Sequence, residues 1–284
     1  MGSRTIAFVT DSTAYMPADL LDQYGIYVVP NVVNWGTQTY RDGVDIGANE
    51  FFERLKKDPV LPTTAVASIG EFRDIYAKAA EGADAVLGVH LSTKLSGTYS
   101  AAVQAAGMLT GKRIEVIDSN ATAMALGFVV LAAARAAQAG KPFDEVVQAA
   151  RDAIPHVGVV FTVETLEFLR RGGRIGGAQA FVGSLLDMKP ILDLRDGRVE
   201  PVERVRTKKK AVERVLDIIA QRTDGQRPVR LATLHAAAPQ EAAALLETAT
   251  RRLGAEEALL CEVSPTVATH AGPGTVGLAY CIGI

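Results

Sequence analysis

Hydrophobic residues fall along this chain in short runs separated by amphipathic stretches. In the first half, residues 5–9, 26–33, 85–89 and 113–117 are apolar runs of strand length. Between them the apolar positions recur at helical spacing. One helix has Pro17 near its first turn and Gly25 just past its end, a second covers about 48–57, and a third opens near Ser68 with Glu71 completing a capping box. Further helices are predicted over 98–109, 121–139 and 143–153, and residues 36–43 are polar and turn-rich, a hairpin or an irregular loop. The pattern changes near Pro155. Strands at 157–163, 190–194, 199–205, 229–234, 258–263 and 276–284 are interleaved with helices at about 164–170, 178–186, 207–219 and 240–253. Asp196-Gly197 between two apolar runs is a hairpin signal.

This alternation predicts an α/β fold in two domains. Residues 1–154 form a mostly parallel sheet flanked by helices, and residues 155–284 a second α/β domain. In open sheets of this kind ligands bind beyond the carboxyl ends of the strands. Three polar clusters fall at such ends: Asp11-Ser12-Thr13, Ser92 to Ser96, and Asp118-Ser119-Asn120. The middle one lies where a strand gives way to a helix, with Gly97 and Thr98 next in line. The first N–H groups of a helix lack partners within it and carry partial positive charge. Hydroxyl residues there either cap the helix or help to hold an anion.

Composition narrows the classes. The chain has 284 residues, 48% hydrophobic and 22% charged, enough for a sizeable core. A net charge of -2 without a long basic run argues against nucleic acid or an anionic membrane surface as the main partner. Cys261 and Cys281 lie in apolar runs without metal-ligand spacing and read as buried free thiols. No signal peptide is visible, and the most apolar helix, 121–134, is shorter than the ~20 residues of a membrane span. It reads as the core helix of a cytoplasmic protein, and no cofactor or metal is implied.

His270 stands among small residues, with Gly272 and Gly274 close behind. Such a loop histidine can donate to a carboxylate, act as a base or satisfy a turn. His90, His156 and His235 lie beside strand patterns as core or surface histidines. Arg170, Arg171, Arg174, Arg204, Arg206 and the run Lys208-Lys209-Lys210 are either a solvated face or a phosphate-recognition surface. Neither a phosphate loop nor a nucleophile elbow occurs, and Gly172 to Gly177 does not open a helix after a strand as a dinucleotide fingerprint would.

Five segments then occur in a telling order: Asp11-Ser12-Thr13, Pro62-Thr63-Thr64, Ser92 to Tyr99, Gly172-Gly173-Arg174, and His270-Ala271-Gly272-Pro273-Gly274-Thr275-Val276-Gly277. Together they resemble the DegV family over nearly the whole chain. The resemblance implies a two-domain α/β protein that holds one long-chain fatty acid in an apolar tunnel between or beside its domains. It implies a role as the non-catalytic binding subunit of a bacterial fatty acid kinase. A separate ATP-dependent subunit would phosphorylate the bound carboxylate to an acyl phosphate for phospholipid synthesis. By motif match the carboxylate contacts fall on Thr64, Ser96 and His270, a supporting polar pocket on Ser92, Thr93, Gly97 and Thr98, and phosphate or kinase docking on Arg174 and Arg206. One departure stands out: Thr64-Ala65-Val66-Ala67 replaces the family's usual Thr-Ser-Gln-Pro, which makes the pocket mouth less polar. Two other readings remain open, a small phosphorylated or hydroxylated metabolite as ligand, and a hydrolase with Ser96 as nucleophile and His270 as base. The hydrolase reading lacks an orienting acid in the sequence.

Overall fold

The computed structural model describes residues 5–183 and 188–284. In chain order the first elements are β1 (Ile6–Asp11), α1 (Ala18–Tyr24), β2 (Ile26–Val29), β3 (Val32–Trp35), β4 (Gln38–Arg41), α2 (Ala48–Leu55), β5 (Thr63–Ala65), α3 (Ile69–Glu81), β6 (Ala85–His90), α4 (Thr98–Gly107), β7 (Arg113–Asp118), α5 (Ala123–Gln138) and α6 (Phe143–Ala153). Then come β8 (Val157–Thr162), α7 (Glu167–Arg171), β9 (Lys189–Arg195), β10 (Arg198–Val205), α8 (Lys208–Arg222), β11 (Val229–His235), α9 (Pro239–Leu253), β12 (Glu257–Leu259), α10 (Pro265–Ala271) and β13 (Val276–Ile282).

Strands β2-β1-β6-β7 form a parallel sheet. Strands β10-β9-β8-β13-β11-β12 form a second sheet, antiparallel except at the β11–β12 edge. Helices α3 and α4 cover the outer face of the first sheet, and α8 and α9 that of the second. Helix α5 packs against β1 and β6 on one side and β8, β11 and β13 on the other. Its alanines and Gly127 let two sheets approach one helix, and one apolar core runs through it from Phe8 to Cys281. Strands covered on both faces read as continuous apolar runs, which is why β6 and β13 are buried at every position.

Local signals work as the sequence suggests at several places. Ser68 and Glu71 close a reciprocal capping box, and Gly25 ends α1 in the left-handed conformation at φ 59°. Both cysteines are free and buried. Among the described residues no helix is long and apolar enough to cross a membrane.

Other elements differ from the sequence reading. The run 26–33 is not one strand. It breaks at Pro30-Asn31, so that β2 joins the parallel sheet and β3 joins a separate three-stranded sheet, β4-β3-β5. Residues 36–43 supply the β3–β4 hairpin, turning at Gly36 with φ 62°. Thr63–Ala65 is a strand, because it pairs with β3 and sets Thr64 across from Val33. Residues 258–263 contribute only the end of the short strand β12. The helix expected at 178–186 is a 3₁₀ turn at Gly176–Phe181, and residues 184–187 lie outside the described part. His270 is not in a loop. Ser264 caps α10, its hydroxyl accepting from the Val267 N–H at 3.2 Å, Pro265 opens the helix, and His270 sits in its last turn.

Candidate functional site

Where α5 begins, the two large sheets leave a cavity between them. It encloses about 970 Å³ of empty space, mouth included, the size range of small-molecule sites. Leu91, Leu95, Val159, Phe161, Leu194 and Leu234 make much of its wall apolar. Its polar groups are Thr13, Asn31, Thr64, Ser96, Thr122, Thr266, His270 and Arg174. A second hollow of about 730 Å³ lies against Leu55, Pro62, Thr63, Phe168, Arg171 and Thr269. Thr64, Arg174 and His270 line both spaces and so form the partition between them.

Three elements from distant parts of the chain build that partition. β5 brings Thr64 within 2.8 Å of His270 Nε2 on α10. The segment after α7 brings Arg174, whose Nε donates to the Leu95 carbonyl at 2.9 Å and whose Nη1 donates to the Gly172 carbonyl at 2.6 Å. Among the described residues no carboxylate lies within ion-pair distance of Arg174. Burial and the neighbouring Arg174 charge hold the His270 imidazole down at about 4, so it is neutral at pH 7. Its Nδ1 is buried without a hydrogen-bond partner. The tautomer with Nε2–H donating to Thr64 leaves the Thr64 hydroxyl hydrogen free for an incoming acceptor. An anion here meets a fixed guanidinium and oriented hydroxyls.

Gly172 is required by this packing. A Cβ at that position would lie 2.0 Å from His270 Nδ1. Gly172→Ala is therefore expected to push the ring out of its place beside Thr64. An NMR titration of His270 checks this: the imidazole should titrate near 4 in the native chain and closer to the ordinary histidine value in the variant. An unchanged titration would show that the ring has not moved.

The structure separates the other expected site residues. Ser96 lines the cavity and pairs with Thr98 Oγ1 at 2.9 Å. Thr98 is fully buried behind it. Ser92 and Thr93 do not line the cavity. The Ser92 hydroxyl donates to the Gly197 carbonyl at 2.9 Å, clamping the β9–β10 hairpin tip, and the Thr93 hydroxyl donates to Asp118 at 2.6 Å. Gly97 is exposed at the start of α4 and also lies off the cavity wall. Arg206 is exposed between β10 and α8, away from both hollows. Of the three strand-end clusters, Asp118-Ser119-Asn120 serves local structure, Ser119 donating to the His90 carbonyl at 2.7 Å. Arg170 and Arg171 pair with Glu167, and Lys208 with Glu164, as an ordinary charged surface does.

Sequence reasoning placed Asp11 in a strand-end cluster but missed Asp42, and it missed that both carboxylates are buried behind the cavity. Asp11 is held by His90 Nδ1 at 3.1 Å, the Leu91 N–H at 2.9 Å and the Thr13 hydroxyl at 2.6 Å. Burial opposes its charge, but these partners hold the carboxyl below its ordinary range. Asp42 accepts from the Ser12 hydroxyl at 2.7 Å, and burial pushes it up to about 6. A carboxyl near 3.8 when unfolded and about 6 when folded favours the folded chain only while protonated. That advantage is full below pH 4, fades as pH rises to 6, and is gone above it. Its size is roughly 3 kcal/mol. Asp42→Asn should thus gain stability relative to the native chain as pH rises from 4 to 7. Thermal melts across that range check it, and a constant difference between the two proteins would contradict it.

Comparison with known proteins bears on this geometry. The model of a family described as uncharacterised protein, DegV family, matches residues 5–282. A DegV domain-containing protein of Streptomyces coelicolor is 43% identical over 279 residues, 97% of this chain and 98% of that protein. A DegV family protein from Thermus thermophilus, whose structure is described for fatty acid binding, superposes with a TM-score of 0.92 at 40% identity, covering 98% of this chain and 99% of that one. DegV of Bacillus subtilis, described as a fatty acid binding protein, superposes with a TM-score of 0.90 at 34% identity, covering 99% and 100%.

Proposed function

Because this chain belongs to the DegV family, we propose that it binds one long-chain fatty acid, with the acyl chain in the cavity between the sheets and the carboxylate at Thr64, Ser96 and His270. The observation that carries this reading is the partition: an apolar cavity ends at Thr64, Arg174 and His270, which also face the outer hollow. A buried carboxylate needs several donors, since an unpaired buried charge is very costly. The hydroxyls and Arg174 meet that need. Each buried methylene adds about 0.8 kcal/mol, so a long chain is retained firmly. Relatives described as fatty acid binding proteins support the ligand class.

The second part of the proposal is delivery. A carboxylate at the partition is reached from the outer hollow, so a separate ATP-dependent kinase subunit phosphorylates it without the acyl chain leaving the cavity. In this reading Arg174, which lines the outer hollow, meets the developing acyl phosphate charge, and Arg206, exposed on the surface, docks the kinase. The experiment mixes fatty-acid-loaded protein with the kinase and ATP and traps acyl phosphate with hydroxylamine. Arg206→Ala should bind fatty acid normally and be phosphorylated slowly. Absence of acyl phosphate with an active kinase would overturn the delivery half and leave the binding half standing.

The hydrolase reading finds little support in the geometry. Ser96 Oγ pairs with Thr98 and His270 Nε2 with Thr64, while Nδ1 lacks the acid that would orient a catalytic base.

A further inference from the structure

Ser96 reaches the cavity, yet what fixes its hydroxyl lies behind the wall. Ser96 is half-buried and lines the cavity, whereas Thr98 is fully buried and does not line it. Two groups of Thr98 meet Ser96 Oγ: the backbone N–H at the start of α4, at 3.3 Å, and the hydroxyl, at 2.9 Å. Thr98 Oγ1 also lies 3.4 Å from Asn31 Oδ1. Asn31 in turn is held from behind. Its Nδ2 lies 3.3 Å from Asp11 Oδ1 and 3.4 Å from Ser12 Oγ. The ionised Asp11 carboxylate only accepts, and Ser12 has given its hydrogen to Asp42. The amide nitrogen therefore faces those two oxygens, and Oδ1 is turned to Thr98 as an acceptor.

The Thr98 hydroxyl has one hydrogen and two acceptors within reach. Given to Asn31, the hydrogen leaves Thr98 Oγ1 as an acceptor for Ser96, whose own hydrogen then turns away from the cavity. Given to Ser96, it joins the N–H in filling the Ser96 lone pairs, and the Ser96 hydrogen has only the cavity to point into. The two bonds are unequal: 3.4 Å to Asn31 is long for O–H···O, and 2.9 Å to Ser96 is ordinary. Turning the hydrogen from Asn31 to Ser96 therefore costs little. A carboxylate, which only accepts, draws the Ser96 hydrogen outward and so sets the second arrangement. Hydroxyls aligned in one direction polarise each other, which strengthens the bond to the anion. An alkyl chain exerts no such pull.

We infer that Thr98 is a positioning residue for the carboxylate: without touching the ligand, it passes its hydrogen from Asn31 to Ser96 when the anion arrives, and so aims the Ser96 hydroxyl. This rests on the fatty-acid reading, and the test separates the two. Delipidated native protein, Thr98→Val and Thr98→Ser are each titrated with palmitate and with methyl palmitate. The isosteric Thr98→Val should bind palmitate about 3- to 10-fold more weakly and methyl palmitate almost as well as the native chain. Thr98→Ser keeps the hydroxyl and should recover most of the loss. In a Ser96→Ala background Thr98→Val should cost nothing further, because no Ser96 hydroxyl is left to orient. Thr98→Ala repeats the test should the valine variant not fold. An unchanged palmitate affinity, an equal loss for acid and ester, or a loss that persists in Ser96→Ala would overturn this inference and leave the fatty-acid reading intact. A native chain that binds no palmitate overturns the fatty-acid reading itself.

Discussion

His270→Ala should weaken fatty-acid binding by about 10- to 100-fold, the worth of a charge-assisted hydrogen bond in a desolvated site. The imidazole orients the Thr64 hydroxyl at 2.8 Å, and without it Thr64 has no partner to direct its hydrogen toward the carboxylate. The loss should be specific to the head group. Affinity for the methyl ester of the same acid should change little, since the ester carries no charge to be held. Global stability should hold, because His270 lies at a helix end and its Nδ1 makes no hydrogen bond that the fold depends on. His270→Gln can still donate an N–H toward Thr64 and should recover part of the loss. Isothermal titration with acid and ester decides the matter. An equal fall for both ligands would mean that His270 shapes the cavity and does not serve the carboxylate.

The second large effect concerns chain length. Strand β13 follows directly on the turn after α10, and its first residue, Val276, pairs with Thr162. The head-group end of the cavity is therefore the Thr162 end of β8. Phe161 is near that end and Val159, which lines the same wall two residues further on, lies ~7 Å deeper. Val159 is 2% exposed, and a larger side chain there has only the cavity to fill. Val159→Phe should shorten the space available to the acyl chain. Excluding three methylenes would cost long-chain acids about 2.4 kcal/mol, or roughly 50-fold in affinity, and leave shorter acids nearly unaffected. Titration with saturated acids of increasing length should show the native rise in affinity stopping early in the variant. A uniform loss at every length would place Val159 away from the tail and contradict the assigned direction of the chain.

Which parts of this were legible in the sequence follows from where the determining contacts lie. The alternation of strands and helices, the capping box at Ser68 and the stop at Gly25 are local, and local patterning carries them. The Ser96 segment was visible because a strand, a hydroxyl and a helix start adjoin in sequence. Ser92 and Thr93 carry the same chemistry as Ser96, yet they serve Gly197 and Asp118, and only the fold distinguishes these uses. Strand β5 exists because β3 pairs with it some thirty residues away, so its own three residues give no signal. The helical setting of His270 did have a local signal, Ser264-Pro265 as cap and first turn, obscured by the glycines downstream. Asn31 lay hidden within an apolar run that reads as one strand. Asp42 lay hidden because a lone aspartate in a turn-rich segment reads as solvated, whereas the fold buries it to 1% exposure.

The central claim is that the cavity between the sheets holds a long-chain fatty acid by its carboxylate. Mass spectrometry of an organic extract from the protein, purified without added lipid, tests it most directly. The account predicts a long-chain fatty acid in near one-to-one ratio with the native chain, and far less with His270→Ala. An extract free of fatty acid, from a protein that also fails to take up added fatty acid, would contradict it.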